Sequence, residues 1–527
     1  MLSKNGMGFS LKNNKSNKEL TKNIEVMKYL KNILPVIFTF LLGVSAFSQD
    51  TKIPTDKEIS NAVEEELLSN SATPSYLIDV ETDEGIVTLS GSVNNILARD
   101  GAIQVARMVK GVRGVIDRIK VTAPAIPDDK LETNIEEALM NDPATAVYEV
   151  SANVKNGVVT LNGMVDSWQE KQLAEYVVKG VKGVKEVLNN IVADIKTQRT
   201  DTDIERDVQK ALNNDVRVDG SLIEVTVKDG RVFLTGVVGS ANEKTVANSI
   251  AWTNGVISVD HSGLEVKEWS RNDDLRTNKY VIKPDKEIRE AILDAFLYDP
   301  RVSSFNPDVS VNDGQVTLSG VVDNLKAKRA AEQDAKYIVG VVGVKNYIKV
   351  RPDLIPQDEK LEASIHKALV TDPMIDRWDI EVNANNGIVY LNGTADSNYE
   401  KFHAEDVVSE QKGVVGIENN LTIYNDDDFY YNDYSGWNTY TPSYQIKVTG
   451  NYKSDQQIKR DIQGQLWWSP YVNENEIDIT VANGTAILDG QVETYRERKF
   501  AEINAREGGA KEIENNITVN HNVTIDK

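Results

Sequence analysis

The chain contains nearly the same ten residues six times, and this repeat limits the possible folds more than any other feature of the sequence. Copy 2 reads NGVVTLNGMV from Asn156, and copy 4 reads DGQVTLSGVV from Asp313. The second glycines of the six copies are separated by 72, 73, 84, 73 and 97 residues. These glycines are Gly91, Gly163, Gly236, Gly320, Gly393 and Gly490. A period of this kind indicates a tandem array of one small unit.

The same elements recur in the same order around each glycine. Upstream, apolar residues at i, i+4 and i+8 predict one stripe of a helix, as in Leu131, Ile135 and Leu139. Four of these stripes are followed by prolines that we predict to stop the helix: Pro143, Pro300, Pro373 and Pro470. A strand comes next, and then a pair such as Asn156-Gly157, which is typical of a type I′ hairpin turn.

An alanine stands eleven residues after each second glycine, inside a second helical stretch. The six alanines are Ala102, Ala174, Ala247, Ala331, Ala404 and Ala501. We predict that the glycine on the strand and the alanine on the helix let the two backbones approach closely, a structural role and not a catalytic one. A last strand ends the unit. The predicted fold is therefore α+β, with six tandem small αββαβ domains, each a three-stranded mixed sheet with two helices on one face.

The pattern G-x-V-x-L-x-G-x-V, together with a later GVxGV at Gly111–Val115, Gly180–Val184 and Gly340–Val344, resembles the BON domain family. The resemblance covers six segments: 55–122, 127–194, 200–268, 284–351, 357–424 and 454–520. It implies an osmotically inducible or outer-membrane type of envelope protein, with affinity for phospholipid or for other envelope components. It implies no catalytic residue and no cofactor.

The first 48 residues carry the pattern of an export signal. Lys28 and Lys31 precede an apolar run of 12 residues, Ile33 to Val44, and Ala46-Phe47-Ser48 forms a small-x-small cleavage pattern before Gln49. The run is shorter than the roughly 20 residues of a spanning helix. We expect a signal peptide with an N-terminal extension, cleavage before Gln49 and a periplasmic protein, either free in the periplasm or associated with the outer membrane. An uncleaved interfacial anchor is the alternative.

The charge excludes one class of partner. Residues 1–48 hold seven Lys and two Glu, so the remaining chain has 52 basic and 79 acidic residues, a net of −27. Such a surface gains nothing from counterion release and is not expected to bind nucleic acid. Because it is also repelled by anionic lipid head groups, any membrane contact must be local.

The residue types that carry catalysis are sparse and scattered. The chain has no cysteine, and His261, His366, His403 and His521 occupy non-equivalent positions in the repeat. No metalloprotease, Walker A or Ser-His-Asp pattern is present. The acidic and aromatic linker at 425–453 lacks the glycine and terminal carboxylate of an EF-hand loop, although a calcium site there remains an alternative to an aromatic strap. We expect no enzyme activity, no metal, no cofactor and no small-molecule substrate.

Copy 6 differs from the others by its aromatic residues. Trp467, Trp468 and Tyr471 stand where copies 2, 4 and 5 have other residues around their Asp-Pro pairs. Adjacent residues of a helix point about 100° apart, so both indoles cannot enter one core. Because Trp and Tyr favour the membrane interface, we expect these three residues to contact lipid. Packing of the pair against the aromatic linker is the alternative.

Two classes of function are compatible with the sequence. The first is a non-enzymatic envelope protein that contacts phospholipid or envelope proteins under envelope or osmotic stress. The second is an extended structural or chaperone-like array of acidic domains that binds other proteins. Recovery of the protein with floated liposomes would favour the first class.

Overall fold

The structure is a computed structural model, and it describes residues 54–69, 77–194, 199–267, 283–375, 380–423, 453–469, 471–510 and 512–519. These residues belong to one compact unit of the chain, Pro54–Lys527. The predicted signal peptide, the 425–453 linker up to residue 452, Pro470 and His521 lie outside the described residues.

The described residues contain two helices per copy. They are α1 (Asp56–Ser69), α2 (Ile96–Arg107), α3 (Asp128–Asn141), α4 (Trp168–Lys179), α5 (Asp201–Asn214), α6 (Ala241–Ile250), α7 (Asp285–Tyr298), α8 (Leu325–Lys336), α9 (Asp358–Thr371), α10 (Asn398–Ser409), α11 (Asp455–Trp468) and α12 (Tyr495–Glu507).

The strands of copies 1 to 3 are β1 (Ile78–Asp83), β2 (Ile86–Val93), β3 (Gly114–Val121), β4 (Glu149–Lys155), β5 (Val158–Val165), β6 (Glu186–Asn189), β7 (Val192–Ala193), β8 (Ile223–Lys228), β9 (Arg231–Val238) and β10 (Ser258–Val266). The strands of copies 4 to 6 are β11 (Asp308–Asn312), β12 (Gln315–Ser319), β13 (Val321–Val322), β14 (Gly343–Asn346), β15 (Lys349–Val350), β16 (Ile380–Asn385), β17 (Ile388–Ala395), β18 (Gly416–Asn419), β19 (Thr422–Ile423), β20 (Ile477–Ala482), β21 (Thr485–Val492), β22 (Glu512–Asn515) and β23 (Thr518–Val519).

Each copy forms a mixed sheet with the second strand of the hairpin in the middle. In copy 2, β4 pairs antiparallel with β5, and β5 pairs parallel with β6 and β7. Copies 1 and 3 keep an unbroken third strand, β3 and β10, whereas the other copies divide this strand into two short pieces. The parallel pairing requires the second helix as a crossover, so the αββαβ order and the mixed sheet predicted from the sequence are both confirmed.

The core of each copy lies between its helices and its sheet. All six predicted helical stripes are buried, and the six alanines are fully buried. Helices α3, α7 and α9 end two residues before Pro143, Pro300 and Pro373, as predicted. The aspartate between each helix and its proline is extended, with ψ of 124°, 112° and 133°, because a following proline disfavours the helical conformation.

The hairpin turns have the predicted type I′ geometry, since both central residues of each turn have positive φ, as in Asn156 at 56° and Gly157 at 79°. A contact that the sequence analysis missed fixes each turn to the first helix. The side chain of the first helical residue accepts a hydrogen bond from the first turn amide at 2.9 or 3.0 Å in every copy. These residues are Asp56, Asp128, Asp201, Asp285, Asp358 and Asp455.

The second glycines are required for a different reason than the one predicted. At Gly163, φ is +148°, and an added Cβ would lie 2.2 Å from the carbonyl oxygen of Glu149 on the neighbouring strand. The obstacle is therefore the other strand of the hairpin and not the helix that carries Ala174. At Gly320 a Cβ would approach no atom closer than 3.6 Å, so there only the φ of +117° favours glycine.

Candidate functional site

The six copies contact one another through one repeated backbone hydrogen bond. In four instances, the residue before a left-handed glycine donates its amide proton to the carbonyl of the last residue of a first helix in another copy. The bonds are Lys110 to Trp468 at 3.2 Å, Lys182 to Thr371 at 2.7 Å, Lys412 to Asn141 at 3.2 Å and Val339 to Asn214 at 2.8 Å. They join copy 1 to copy 6, copy 2 to copy 5, and copy 3 to copy 4, as nested pairs.

These hydrogen bonds satisfy carbonyl groups at the C-terminal ends of the helices. Such carbonyl groups have no hydrogen-bond partner inside their own helix. Between copies 2 and 5 the bond is made in both directions, so the two copies present the same surface to each other. Copies 1 and 6 are in contact although they lie at opposite ends of the repeat. The extended arrangement considered from the sequence is therefore wrong for the described part of the chain.

A buried ion cluster joins copies 2, 4 and 5. The ammonium group of Lys326 contacts the carboxylate of Asp142 in copy 2 and lies 3.2 Å from Glu410 in copy 5. The side chains of Lys326 and Asp142 are only 7% and 4% exposed. Burial opposes the charge of Lys326, but Glu410 and Asp142 outweigh it and hold the lysine pKa above its usual value. We call these three residues the Lys326 cluster.

The aromatic residues predicted to contact lipid lie between copies. Trp467 and Trp468 are half-buried and meet edge to face, with ring centroids 4.6 Å apart. Trp468 packs against the core of copy 1, and the Lys110 ammonium lies 4.4 Å from the centre of the Trp467 ring. As expected, the two indoles do not share one core. Packing against the linker cannot be described, since residues 424–452 lie outside the described ranges.

Tyr471 contacts residues of its own copy and of copy 3. Its ring packs on Phe500 of copy 6 at 4.3 Å, and the Arg496 guanidinium lies 3.9 Å from its centre. Its hydroxyl accepts a hydrogen bond from the side chain of Asn242 in copy 3. The structure thus brings Trp467, Trp468 and Tyr471 to the contacts of copy 6 with copies 1 and 3. Their role in lipid contact stays a prediction.

Two carboxyl groups meet where copy 1 contacts copy 6. Burial raises the pKa of Glu66 from its usual 4.5 to about 8, and the nearby Glu507 carboxyl adds to this rise. Burial alone raises the pKa of Glu507 to about 7. Gln465 on α11 donates a hydrogen bond to Glu66, which partly opposes the shift. Both carboxyls therefore bind protons more tightly in the folded chain than in the unfolded chain.

This pair predicts that stability decreases at alkaline pH. A raised carboxyl pKa gives stability that is greatest below the unfolded value near 4.5 and is lost as the pH rises through 7 and 8. We expect Glu66→Gln to raise the free energy of unfolding at pH 9 by about 1–2 kcal/mol and to flatten the decline between pH 6 and 9. Urea unfolding across this range measures both effects.

The exposed Glu64 on the same helix provides the control, because Glu64→Gln should keep the parental decline with pH. An identical decline in the parent and in Glu66→Gln would contradict the assignment of the effect to this carboxyl pair.

The histidines do not assemble a reactive centre among the described residues. His366 is exposed, as the sequence suggested. The ring Nε2 of His403 lies 3.0 Å from both carboxylate oxygens of Asp372, and although burial opposes its charge, Asp372 raises its pKa. Within the described ranges, no group of three or more His, Asp or Glu side chains is placed to hold a metal ion. No helix in those ranges is long and apolar enough to cross a bilayer.

Six αββαβ units that share one turn, one aspartate contact and one buried alanine define a protein built from a single type of domain. The family model for the BON domain matches residues 55–123, 127–194, 200–268, 284–352, 357–425 and 454–521. These stretches make up most of the chain, and the chain therefore belongs to the BON domain family.

Two curated proteins are similar to part of the chain. Osmotically-inducible protein Y of Escherichia coli (strain K12) is 33% identical over 150 residues, which are 27% of this chain and 73% of that protein. Outer membrane lipoprotein DolP of Haemophilus influenzae is 30% identical over 145 residues, which are 27% of this chain and 75% of that protein. The solved C-terminal domain of CdsD, a type III secretion protein of Chlamydia trachomatis, aligns over 43% of this chain and all of that domain, at 19% identity. The TM-score of this alignment is 0.12.

Proposed function

We propose that the chain is a non-enzymatic protein of the cell envelope that contacts phospholipid surfaces or other envelope components under envelope or osmotic stress. The observation that carries this proposal is the similarity to two BON-domain proteins, one named as an outer membrane lipoprotein and the other as osmotically inducible. An exported, periplasmic location follows from the signal pattern before Gln49 and is part of the same proposal.

The lack of enzyme activity is proposed from the repeat itself. In an array of six equivalent domains, an enzyme would require one copy to diverge into a site. Copy 6, which diverges most, gains Trp467, Trp468 and Tyr471 and no new acid, base or nucleophile grouping. Trp and Tyr side chains favour contact with an interface.

The membrane contact is proposed to be local and aromatic. A net charge of −27 outside residues 1–48 opposes an anionic bilayer, but salt screens this repulsion beyond about 8 Å at physiological ionic strength. Trp467 and Trp468 are only partly buried, so part of each side chain is accessible to solvent. A desolvated aromatic contact can then outweigh the diffuse repulsion.

Liposome flotation of the full chain tests this proposal. Binding to phosphatidylglycerol vesicles is expected to strengthen or stay unchanged as salt rises, because salt weakens only the repulsion. The double change Trp467→Ala and Trp468→Ala should abolish flotation. If the parental protein does not float with the vesicles, the result would favour the protein-binding alternative.

A matched control comes from two exposed apolar side chains on the copy 2 sheet. Met164 and Val192 are neighbours on β5 and β7 and are 56% and 57% exposed. The change Met164→Ser with Val192→Ser should leave flotation intact. The opposite result is that the protein floats after the tryptophan changes and fails to float after the changes at Met164 and Val192. That result would show that the membrane contact lies in copy 2 and not in copy 6.

A further inference from the structure

The contact between copies 1 and 6 differs from the other two pairs at one helical position, the one just before the last residue of each helical stripe. In copies 2 to 5 this position is alanine, and these alanines line the cavities where copy 2 meets copy 5 and where copy 3 meets copy 4: Ala138, Ala368, Ala211 and Ala295. In copies 1 and 6 it holds Glu66 and Gln465, whose side chains are hydrogen-bonded to each other. The 1–6 pair therefore carries an ionisable side chain where the other pairs carry none.

The aromatic residues of copy 6 lie at this same contact and are partly covered by copy 1. Trp468 packs against the core of copy 1, and its carbonyl oxygen accepts a hydrogen bond from the Lys110 amide at 3.2 Å. The Lys110 ammonium lies 4.4 Å from the centre of the Trp467 ring. Copy 1 thus covers part of the surface that we propose to contact lipid, and separation of the two copies would expose the rest.

Two carboxyl groups make this contact sensitive to protonation. Burial is the main cause that raises the pKa of Glu66 to about 8, and burial raises the pKa of Glu507 to about 7. Glu507 and Gln465, which both act on Glu66, belong to copy 6, so part of the effect on Glu66 exists only while the copies touch. An ionised Glu66 brings only acceptors to a place where the Oε1 atom of Gln465 is already buried without a partner among the described residues. A protonated Glu66 brings a donor.

The other charged groups on the segments packed here leave this dependence in place. Glu65, beside Glu66 on α1, adds to the rise of the Glu66 pKa. Arg506 on α12 lies 3.6 Å from Glu502, and Lys110 lies over the Trp467 ring. Arginine and lysine side chains of this kind keep their charge between pH 6 and 8.5. The change in charge at this contact is therefore expected from the carboxyl groups.

We propose that copy 1 masks the aromatic residues of copy 6 and that deprotonation at their contact releases these residues to the membrane. The inference rests on the proposed membrane contact of Trp467 and Trp468 and adds its regulation. Because contact of the two copies raises carboxyl pKa values, it takes up protons. The contact is strongest below the usual carboxyl value of 4.5 and weakens as the pH rises through 7 and 8.

Hydrogen exchange of the full chain without lipid measures the release at the Lys110 amide. Between pH 6 and 8.5 its protection factor, which corrects for intrinsic exchange, should fall at least about tenfold, since one pKa unit corresponds to a factor of ten. Glu66→Gln keeps the shape and removes the charge, and it should remove most of this fall. The Lys182 amide, which bonds to Thr371 in the 2–5 pair, should behave alike in the parent and in this variant.

Hydroxyl-radical footprinting measures the masking directly, again without lipid. Oxidation of the peptide that contains Trp467 and Trp468, relative to the exposed Tyr347 of copy 4, should rise from pH 6 to pH 8.5 in the parent and not in Glu66→Gln. Glu64→Gln, at an exposed position of the same helix, should respond as the parent does. Thermal unfolding verifies each fold, and if Glu66→Gln unfolds, Glu507→Gln should reduce the response in part.

Flotation with phosphatidylglycerol vesicles completes the test, because more of the parent should float at pH 8.5 than at pH 6. The proposal is overturned if protection and oxidation do not change with pH, or if the parent and Glu66→Gln respond equally. It is also overturned if the rings become exposed but flotation stays the same at both pH values. If the rings become exposed and the parent floats at neither pH, the release is supported and the proposed lipid contact is contradicted.

Discussion

Replacement of Lys326 by alanine is expected to lower the free energy of unfolding by about 3–5 kcal/mol, because it leaves carboxylates facing one another without a cation. Asp142 is almost completely buried, and Glu410 lies 3.2 Å from the same ammonium group. The loss of stability should affect copies 2, 4 and 5 together, since each of these copies supplies one member of the cluster. Urea unfolding measures the total, and hydrogen exchange resolved by copy locates it.

Lys286 in the same copy gives the matched control. Its side chain is 84% exposed and lies 3.7 Å from Glu290 on the surface of α7. Lys286→Ala should change stability by less than about 0.5 kcal/mol. In a Lys326→Met background, adding Asp142→Asn and Glu410→Gln should restore part of the loss by removing the unpaired charges. Equal effects of Lys326→Ala and Lys286→Ala would show that the cluster does not join the copies.

The second large effect is expected from Gly91→Ala, at about 2–4 kcal/mol. Gly91 has φ of +115°, and an added Cβ would lie 2.0 Å from the carbonyl oxygen of Leu77. Backbone atoms cannot move aside as a flexible side chain can, so the hairpin of copy 1 must open or shift. Gly163→Val is expected to act in the same way in copy 2.

Gly320 separates the steric part of this effect from the conformational part. Its φ of +117° is nearly the same as that of Gly91, but the nearest atom to an added Cβ is 3.6 Å away. Gly320→Ala should therefore cost only about 1 kcal/mol, from the strained φ alone. Hydrogen exchange should show the loss in copy 1 for Gly91→Ala and in copy 4 for Gly320→Ala. Similar losses in both variants would rule out the clash as the cause.

The parts of the fold that the sequence predicted are those set by short-range patterns. The stripe of Leu131, Ile135 and Leu139 and the turn at Asn156-Gly157 each depend on residues close together in the chain. The aspartate contact to the turn was missed, although a signal existed, since Asp128 and its equivalents stand 28 residues before the first turn residue in every copy. Pro127 occupies the N-cap position of α3, so capping does not explain Asp128.

The contacts between copies could not be predicted in this way. Lys326 lies in the stretch LKAKRAAEQDAK, which has the composition of a solvent-facing helix, and its partner Asp142 is 184 residues away. With one sequence, a pattern that repeats in each copy reports what the copies share. It does not report how they pack against one another.

The nested pairing of the copies also sets the order in which contacts between copies can form during synthesis. Copies 3 and 4 can contact each other soon after both have been synthesised. The hydrogen bond from the amide of Lys110 to the carbonyl of Trp468 can form only after about 360 further residues have been added to the chain. At about 5–20 residues per second, this interval is on the order of 20 to 70 s. During that interval the surface of copy 1 that receives Trp468 faces solvent. The first copy made is thus the last to be completed, and it is the copy most exposed to a chaperone or a protease while the chain is being synthesised.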